Sequence, residues 1–205
     1  MAQGGSFANH EFRSIHIAQD GKIFYIMSGK SEIHRYDLSI AFDFRTAEYI
    51  QELTLTPIVT AGDFKDGING FSMSRDGTRL FYVDQGAGGD APVLKTLSLS
   101  TAFDITTGTE IHSVDLFTIG LDDEDGVQAA RDVEFSPDGS QMFIAVYNLG
   151  DKTNNQIHQF SLGKNFDVST ATDLGHHTIV YPDGSTGNFW GMSFSSDGMH
   201  LLLRN

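Results

Sequence analysis

The chain has 205 residues, no cysteine and a formal net charge of −14. Without cysteine it cannot form disulfides, thiol nucleophiles or cysteine-based zinc and iron–sulfur sites. An acidic chain whose basic residues are scattered singly is also a poor partner for nucleic acids and anionic membranes. No run approaches the roughly eighteen apolar residues of a membrane helix, and the start lacks a secretory pattern, so we expect neither membrane insertion nor a signal peptide.

Residues 1–11 are mostly small or polar and are interpreted as an N-terminal arm. From there, four stretches repeat one pattern, in which an Asp-Gly pair separates two apolar strands. The pairs recur about every sixty residues, and such a period indicates a repeat protein. Each pair predicts a two-residue hairpin turn, because that turn needs a residue at positive φ. The pairs are Asp20-Gly21, Asp76-Gly77, Asp138-Gly139 and Asp197-Gly198.

After each of the first three hairpins the sequence predicts a third strand, a connector and a fourth strand. The connectors carry Phe-Asp pairs with the same period, namely Phe42-Asp43, Phe103-Asp104 and Phe166-Asp167. We interpret each phenylalanine as a plug at the outer edge of its sheet. Each aspartate is expected to accept a hydrogen bond from local backbone in an Asx-type turn.

Four strands per unit, packed sheet on sheet at a fixed period, predict an all-β fold: a β-propeller-like array of four-stranded blades with about three and a half repeats. Residues 12–205 form one predicted domain, with blades at about 12–60, 66–119 and 127–182 and a half blade at about 188–205. The last blade lacks its third and fourth strands, and soluble proteins avoid open strand edges. Either the sequence is a fragment, or a second copy or another chain completes the blade.

The repeat motifs carry a resemblance. The run Phe135 to Gly139 (F-S-P-D-G) resembles the blade motif of lactonase-like and TolB-like propeller repeats. Combined with the L-S-x-A-F-D connector at residues 38–43 and 99–104, it is similar to repeats in predicted structural and surface proteins of marine bacteria and their phages. The resemblance covers nearly the whole chain and implies a propeller fold, but propellers host many activities.

The densest acidic stretch suggests a cation site before the third blade. Laid on a twelve-residue calcium loop, Asp123, Asp125 and Asp132 occupy ligand positions, whereas Leu121 stands at the first ligand position and the bidentate glutamate is missing. The sequence therefore leaves two readings, a bound calcium ion or a solvated acidic loop, and favours the loop. No other cofactor is expected.

The residues nearest the predicted propeller axis argue against catalysis. In each first strand, one residue stands directly before the alternating apolar residues. These residues are Ser14, Gly70, Asp132 and Gly191, and the residues before them are Arg13, Asn69, Arg131 and Trp190. A metal-dependent hydrolase would gather several carboxylates there, and only Asp132 and Asn69 qualify. The histidines show no converging set, with His34 and His158 at equivalent third-strand positions. Trp190 with Asn188 and Phe189 is the candidate aromatic platform for a glycan or a partner protein, with packing against the next blade as the alternative.

The sequence therefore predicts a non-enzymatic structural or interaction protein. The resemblance implies a phage virion component, such as a tail-fibre or capsid-surface protein, that assembles through its incomplete blade. The first alternative is a glycan- or protein-binding module of a larger bacterial surface protein. The second is a metal-dependent hydrolase of the lactonase or phytase kind.

Overall fold

The computed structural model describes residues 12–29, 31–55, 67–84, 91–121, 128–148, 155–181, 184, 190–195 and 197–204. Within them the chain forms fourteen β-strands and four single-turn 3-10 helices. Three consecutive sheets have four antiparallel strands each, in sequence order, and a fourth sheet has two. The strands are β1 (Phe12–Ile17), β2 (Ile23–Ser28), β3 (Glu32–Leu38), β4 (Ala47–Thr54), β5 (Ile68–Met73), β6 (Arg79–Asp84), β7 (Val93–Leu99), β8 (Gly108–Asp115), β9 (Gln128–Phe135), β10 (Gln141–Asn148), β11 (Gln156–Leu162), β12 (Ala171–Thr178), β13 (Gly191–Phe194) and β14 (Leu201–Arg204).

The predicted fold is confirmed. Blades 1, 2 and 3 are the sheets β1–β4, β5–β8 and β9–β12, and half blade 4 is the β13–β14 pair. The first strands β1, β5, β9 and β13 contact one another in that order, so they form the inner row of the array. Among the described residues, no helix has the length and apolarity that a membrane crossing requires.

The Asp-Gly turns are longer than predicted. Gly21 has the expected positive φ of 67°. However, Ala18 donates its N–H to the Ile23 carbonyl, so four residues rather than two lie in the loop. The Asp20 carboxylate accepts a hydrogen bond from the Lys22 N–H at 2.9 Å. The prediction of a two-residue turn is wrong, because Gly21 is the third residue of a four-residue loop that the aspartate side chain stabilises from within.

The connector phenylalanines cover these turns instead of plugging the outer edge of each sheet. Phe42 has a φ of 60°, and its N–H donates to the Gly21 carbonyl at 2.8 Å. A β-carbon on Gly21 would lie 2.3 Å from the Phe42 ring. Phe103 and Phe166 repeat this arrangement over Gly77 and Gly139. Glycine is thus required twice, by the backbone conformation and by the ring above it.

The predicted Asx turns in the connectors are present. Asp43 accepts a hydrogen bond from the Arg45 N–H at 3.1 Å and caps a single-turn 3-10 helix. Asp104 and Asp167 cap the corresponding helices in blades 2 and 3. The connector is therefore a structural device that returns the chain from the third strand to the fourth.

Each pair of neighbouring blades encloses a hydrophobic core. We call the face of a blade that is turned towards the preceding blade its leading face, and the opposite face its trailing face. Between blades 1 and 2, the trailing face of blade 1, with Tyr25, Met27 and Ile33, packs on the leading face of blade 2, with Phe71 and Tyr82. Two further cores repeat this packing between blades 2 and 3 and between blades 3 and 4.

Candidate functional site

Arginine and tryptophan side chains meet where the inner strands begin. The Arg131 guanidinium carbon lies 4.4 Å from the centroid of the Trp190 ring and 5.2 Å from that of Tyr147. Arg13 lies 6.0 Å from the same indole and donates to the Asn69 amide oxygen at 3.5 Å. Burial lowers the pKa of Arg131 to about 10, and the nearby Arg13 charge acts in the same direction. The two contacts to Trp190 are cation–π packing between blades, and the contact of Arg131 with Tyr147 lies within blade 3.

Trp190 therefore has a guanidinium over its ring, an arrangement that matches the packing alternative. The platform prediction also named Asn188 and Phe189, which lie outside the described residues. A role of these three residues in ligand binding stays a prediction.

Asp132 ties the inner strands together. Its carboxylate accepts hydrogen bonds from the main-chain N–H of Val133 at 3.0 Å and of Met192, in half blade 4, at 2.9 Å. It also fills the space beside Gly70, where a β-carbon would lie 2.3 Å from Asp132 Oδ1. Burial, and then the nearby Glu134, raise the pKa of Asp132 well above its usual range. Asp132 thus connects blades 2, 3 and 4.

The calcium prediction also included Asp123 and Asp125, and both lie outside the described residues. Calcium binding by the acidic loop therefore stays a prediction. The two main-chain hydrogen bonds of Asp132 give that residue a structural role on their own.

A second polar column follows two residues further along the inner strands. His16, Ser72 and Glu134 line a cavity of about 270 Å³. The Ser72 hydroxyl donates to Glu134 at 3.1 Å, but burial dominates and raises the pKa of Glu134 to about 7. Burial also lowers the pKa of His16 to about 4, so this ring is neutral at physiological pH. The sequence analysis did not include Glu134 among the axial residues, although residues i and i+2 of a strand share a face.

On the leading face of blade 1, one histidine stands between two glutamates. His34 Nδ1 lies 3.4 Å from Glu52 Oε2, and His34 Nε2 lies 3.6 Å from Glu32 Oε2. His34 is buried, whereas the Glu52 side chain is 41 % exposed. Among the described residues, these three form a group whose ligand atoms all lie within 4.8 Å of one another. The sequence analysis recognised His34 only as the third-strand equivalent of His158 and did not connect it with Glu32 and Glu52.

The leading face of blade 1 is built like the leading faces of blades 2 and 3, but it is uncovered. Ile15 pairs with Ile26, as Phe71 pairs with Tyr82 in blade 2 and Val133 with Ile144 in blade 3. Ile15 is 58 % exposed, while Phe71 is 2 % exposed and Val133 is fully buried.

Two more positions show the same contrast. Phe12 is exposed where blades 2 and 3 bury Ile68 and Ala130. Phe44 is exposed where those blades bury Ile105 and Val168 at the start of the connector helix. Large apolar side chains gathered on an exposed face indicate an interaction surface.

Half blade 4 presents the complementary open face. Leu202 occupies the trailing-face position of Tyr25 and Phe81, but it is 67 % exposed where those two residues are fully buried. Each of the three pairs with the strand residue four positions before the turn aspartate. The array therefore has one exposed leading face and one exposed trailing face. Ile15 and Leu202 line a common open cavity of about 320 Å³, and Arg204 of half blade 4 donates to the Arg13 carbonyl of blade 1 at 2.6 Å.

Comparison with known proteins supports the fold. No protein-family model matches the sequence, and no curated protein matches it. Among solved structures, the chain is similar to the Swd1 β-propeller domain of Myceliophteria thermophila, with a TM-score of 0.51 and 14 % identity over 96 % of this chain and 50 % of that one. It is also similar to the periplasmic gluconolactonase of Pseudomonas aeruginosa, with a TM-score of 0.53 and 15 % identity over 95 % of this chain and 47 % of that one. The chain thus spans about half the length of these propellers.

Proposed function

We propose that this chain is a non-catalytic interaction module that assembles with a second copy of itself through the leading face of blade 1 and the trailing face of half blade 4. One observation carries the proposal. The apolar face that blades 2 and 3 bury against a preceding blade is exposed in blade 1, with Ile15 at 58 % and Phe71 at 2 %. Burying such a side chain contributes roughly 1.5–3 kcal/mol, so the face favours association.

The two open faces differ, and they are the two halves of the contact that the chain already makes three times internally. A leading face of one copy can pack on the trailing face of another as blade 2 packs on blade 1. Such a head-to-tail interface forms a ring if it closes and a filament if it does not. Because the chain spans 50 % and 47 % of the two propeller chains, two copies supply about the length of one closed propeller.

The outer edge of β14 offers a further contact. Its backbone pairs with β13 on one side, and in the described part of the chain no strand pairs with the other side. A strand from another chain can add to such an edge through main-chain hydrogen bonds. Completion of the last blade between chains would stabilise the same assembly.

We extend the proposal to the setting of a phage virion, as a tail-fibre or capsid-surface component. The repeat motifs support this setting by resemblance, and the alternative is a module of a bacterial surface protein that binds a glycan or a protein. The coding sequences beside this one test the choice. Neighbours that encode capsid or tail proteins support the virion, and neighbours that encode envelope proteins contradict it.

The absence of catalysis is also part of the proposal. It is supported by the axial column, where glycine and serine dominate and the Asp132 carboxylate accepts two main-chain N–H groups. Calcium-dependent turnover of a lactone or a phosphate ester that is lost in Asp132→Asn would contradict it.

The assembly is tested by the solution mass of the full chain, measured by light scattering over a range of concentrations. We expect a concentration-dependent dimer or higher species. Ile15→Lys places an ammonium group in the contact and should raise the dissociation constant at least about ten-fold, because 1.4 kcal/mol corresponds to that factor.

The matched control is Ile40→Lys. Ile40 is 60 % exposed in the first connector, and blade 3 carries Lys164 at the same position. This control should associate like the wild type. A wild-type chain that stays monomeric at the highest concentration, or equal effects of the two variants, would contradict the proposal.

A further inference from the structure

We propose that Glu32, His34 and Glu52 form a binding site for a divalent transition-metal ion of the zinc type on the leading face of blade 1. The site goes beyond the proposed assembly and does not depend on it, because all three donors belong to one blade. Imidazole nitrogen together with carboxylate oxygen is a donor set that Zn²⁺ accepts, whereas Ca²⁺ takes oxygen ligands only.

The three donors are placed by the sheet itself. Glu32 and His34 lie two residues apart on β3 and so point to the same face. Glu52, on β4, lies directly opposite His34 in the antiparallel register. A β-bulge after Arg35 sets this pairing. The buried Ser28 hydroxyl donates to Glu32 Oε2 at 3.2 Å and so orients one carboxylate.

The distances suit a metal ion. Two ligands at about 2.1 Å from a tetrahedral zinc ion are separated by roughly 3.4 Å. His34 Nδ1 and Glu52 Oε2 lie 3.4 Å apart, and the ligand atoms of all three residues lie within 4.8 Å of one another. Glu32 Oε2 lies 3.6 Å from the other ring nitrogen, Nε2, and because one ion binds only one of the two nitrogens, one glutamate must turn towards the nitrogen that the ion uses. The imidazole is buried and fixed, while the partly exposed Glu52 can adjust and leaves a path for the ion and for water ligands.

The other two blades lack the combination. At the same three positions blade 2 carries Val93, Lys95 and Ser113, and blade 3 carries Gln156, His158 and His176. In blade 2 the central position holds a cationic ammonium, and Lys95 Nζ lies 3.1 Å from Glu110. In blade 3 His158 is buried as His34 is, and it faces the Gln156 amide oxygen at 3.2 Å. The chain thus offers matched histidines whose neighbours on the same strand are a glutamate in blade 1 and a glutamine in blade 3.

Calorimetric titration of Zn²⁺ into the chelator-treated full chain tests the proposal. We expect one equivalent to bind to the wild type. Glu52→Gln should weaken binding at least about ten-fold, since even the loss of a residue that only hydrogen-bonds to a metal ligand lowers metal affinity 10–100-fold. Glu52 is partly exposed, so this variant should keep the wild-type fold, which the urea midpoint checks. His34→Gln should abolish binding.

His158→Gln is the control and should bind Zn²⁺ like the wild type. Excess Ca²⁺ should not displace the bound Zn²⁺. Equal binding by the wild type and Glu52→Gln, equal weakening by His158→Gln, or displacement by Ca²⁺ would each overturn the proposal. Because the titration is followed on chains held monomeric by Ile15→Lys as well as on the wild type, failure of the metal site and failure of the assembly are distinguishable.

Discussion

Ile15 and Phe71 occupy the same position in neighbouring blades, yet Ile15 is 58 % exposed and Phe71 is 2 % exposed. Both side chains project from the inner strand of their blade onto its leading face. Phe71 is covered by the trailing face of blade 1, whereas Ile15 lines an open cavity of about 320 Å³ that Leu202 of half blade 4 also lines. The leading face is therefore buried in blade 2 and exposed in blade 1. The contact between blades 1 and 2 shows that a trailing face is the kind of surface that can cover it.

The turn glycines provide a prediction about stability. Gly77→Ala should lower the free energy of unfolding by about 2–4 kcal/mol, because the residue has a φ of 68° and its β-carbon would lie 2.5 Å from the Phe103 ring. Gly198 is the control. It has a φ of 71° at the same turn position, but its β-carbon would meet nothing within 4 Å. Gly198→Ala should cost only the backbone strain, about 1–2 kcal/mol. Urea unfolding measures both, and equal losses would refute the covering role of the phenylalanine.

The Asp132 carboxylate provides a second prediction. Asp132→Ala leaves the buried N–H groups of Met192 and Val133 without their acceptor and should cost about 2–4 kcal/mol. Asp132→Asn keeps one acceptor oxygen and should cost about half as much. Urea unfolding with and without Ca²⁺ is the measurement. If Ca²⁺ stabilises the wild type but not Asp132→Asn, the calcium role predicted from the sequence holds and the purely structural role does not.

Glu134 predicts a dependence of stability on pH. Burial raises its pKa from the ordinary 4.5 to about 7 in the folded protein. Its contribution to stability is therefore fully present below about pH 4.5 and is lost as the pH rises to about 7. Glu134→Gln mimics the protonated form and should be more stable than the wild type at pH 8 by up to about 3 kcal/mol, since one pKa unit corresponds to about 1.4 kcal/mol. At pH 4.5 the two proteins should unfold alike.

The control for this experiment is Asp138, whose pKa is shifted in the opposite direction. Hydrogen bonds from Ser136 and Ser140 lower the pKa of Asp138 to about 2, so its contribution is present above its ordinary pKa and lost in strong acid. Asp138→Asn should therefore be less stable than the wild type at pH 8. A Glu134→Gln variant that is also less stable at pH 8 would show that Glu134 is not desolvated in the folded state.

The repeat pattern predicts most of the fold. Asp-Gly pairs and Phe-Asp connectors at a fixed period locate the hairpins and the connector turns, because both depend on local backbone chemistry. The length of the hairpin loop could not be read in this way, since it depends on hydrogen bonds such as that of Ala18 to Ile23 across the turn. The position of Phe42 was missed for a similar reason. Its ring reaches Gly21 only because the connector and the turn lie at the same end of the blade.

The candidate sites were harder to predict. The exposure of Ile15 cannot be read from its own strand, which resembles β5 and β9, and only the order of the blades leaves it uncovered. The His34–Glu52 contact depends on the register of β3 and β4, which a bulge shifts by one residue. Glu134 could have been found, because it lies two residues after Asp132 on the same strand and alternation places both on one face.

The central claim is that the open leading face and the open trailing face bind each other, and a mixing experiment tests it most directly. Ile15→Lys damages only the leading face and Leu202→Lys only the trailing face, so each variant alone should be monomeric by light scattering at concentrations where the wild type is a dimer. An equimolar mixture retains one intact pair of faces, namely the trailing face of the first variant and the leading face of the second. The account predicts that mixing restores a species of dimer mass. A mixture that stays monomeric while the wild type associates would contradict it.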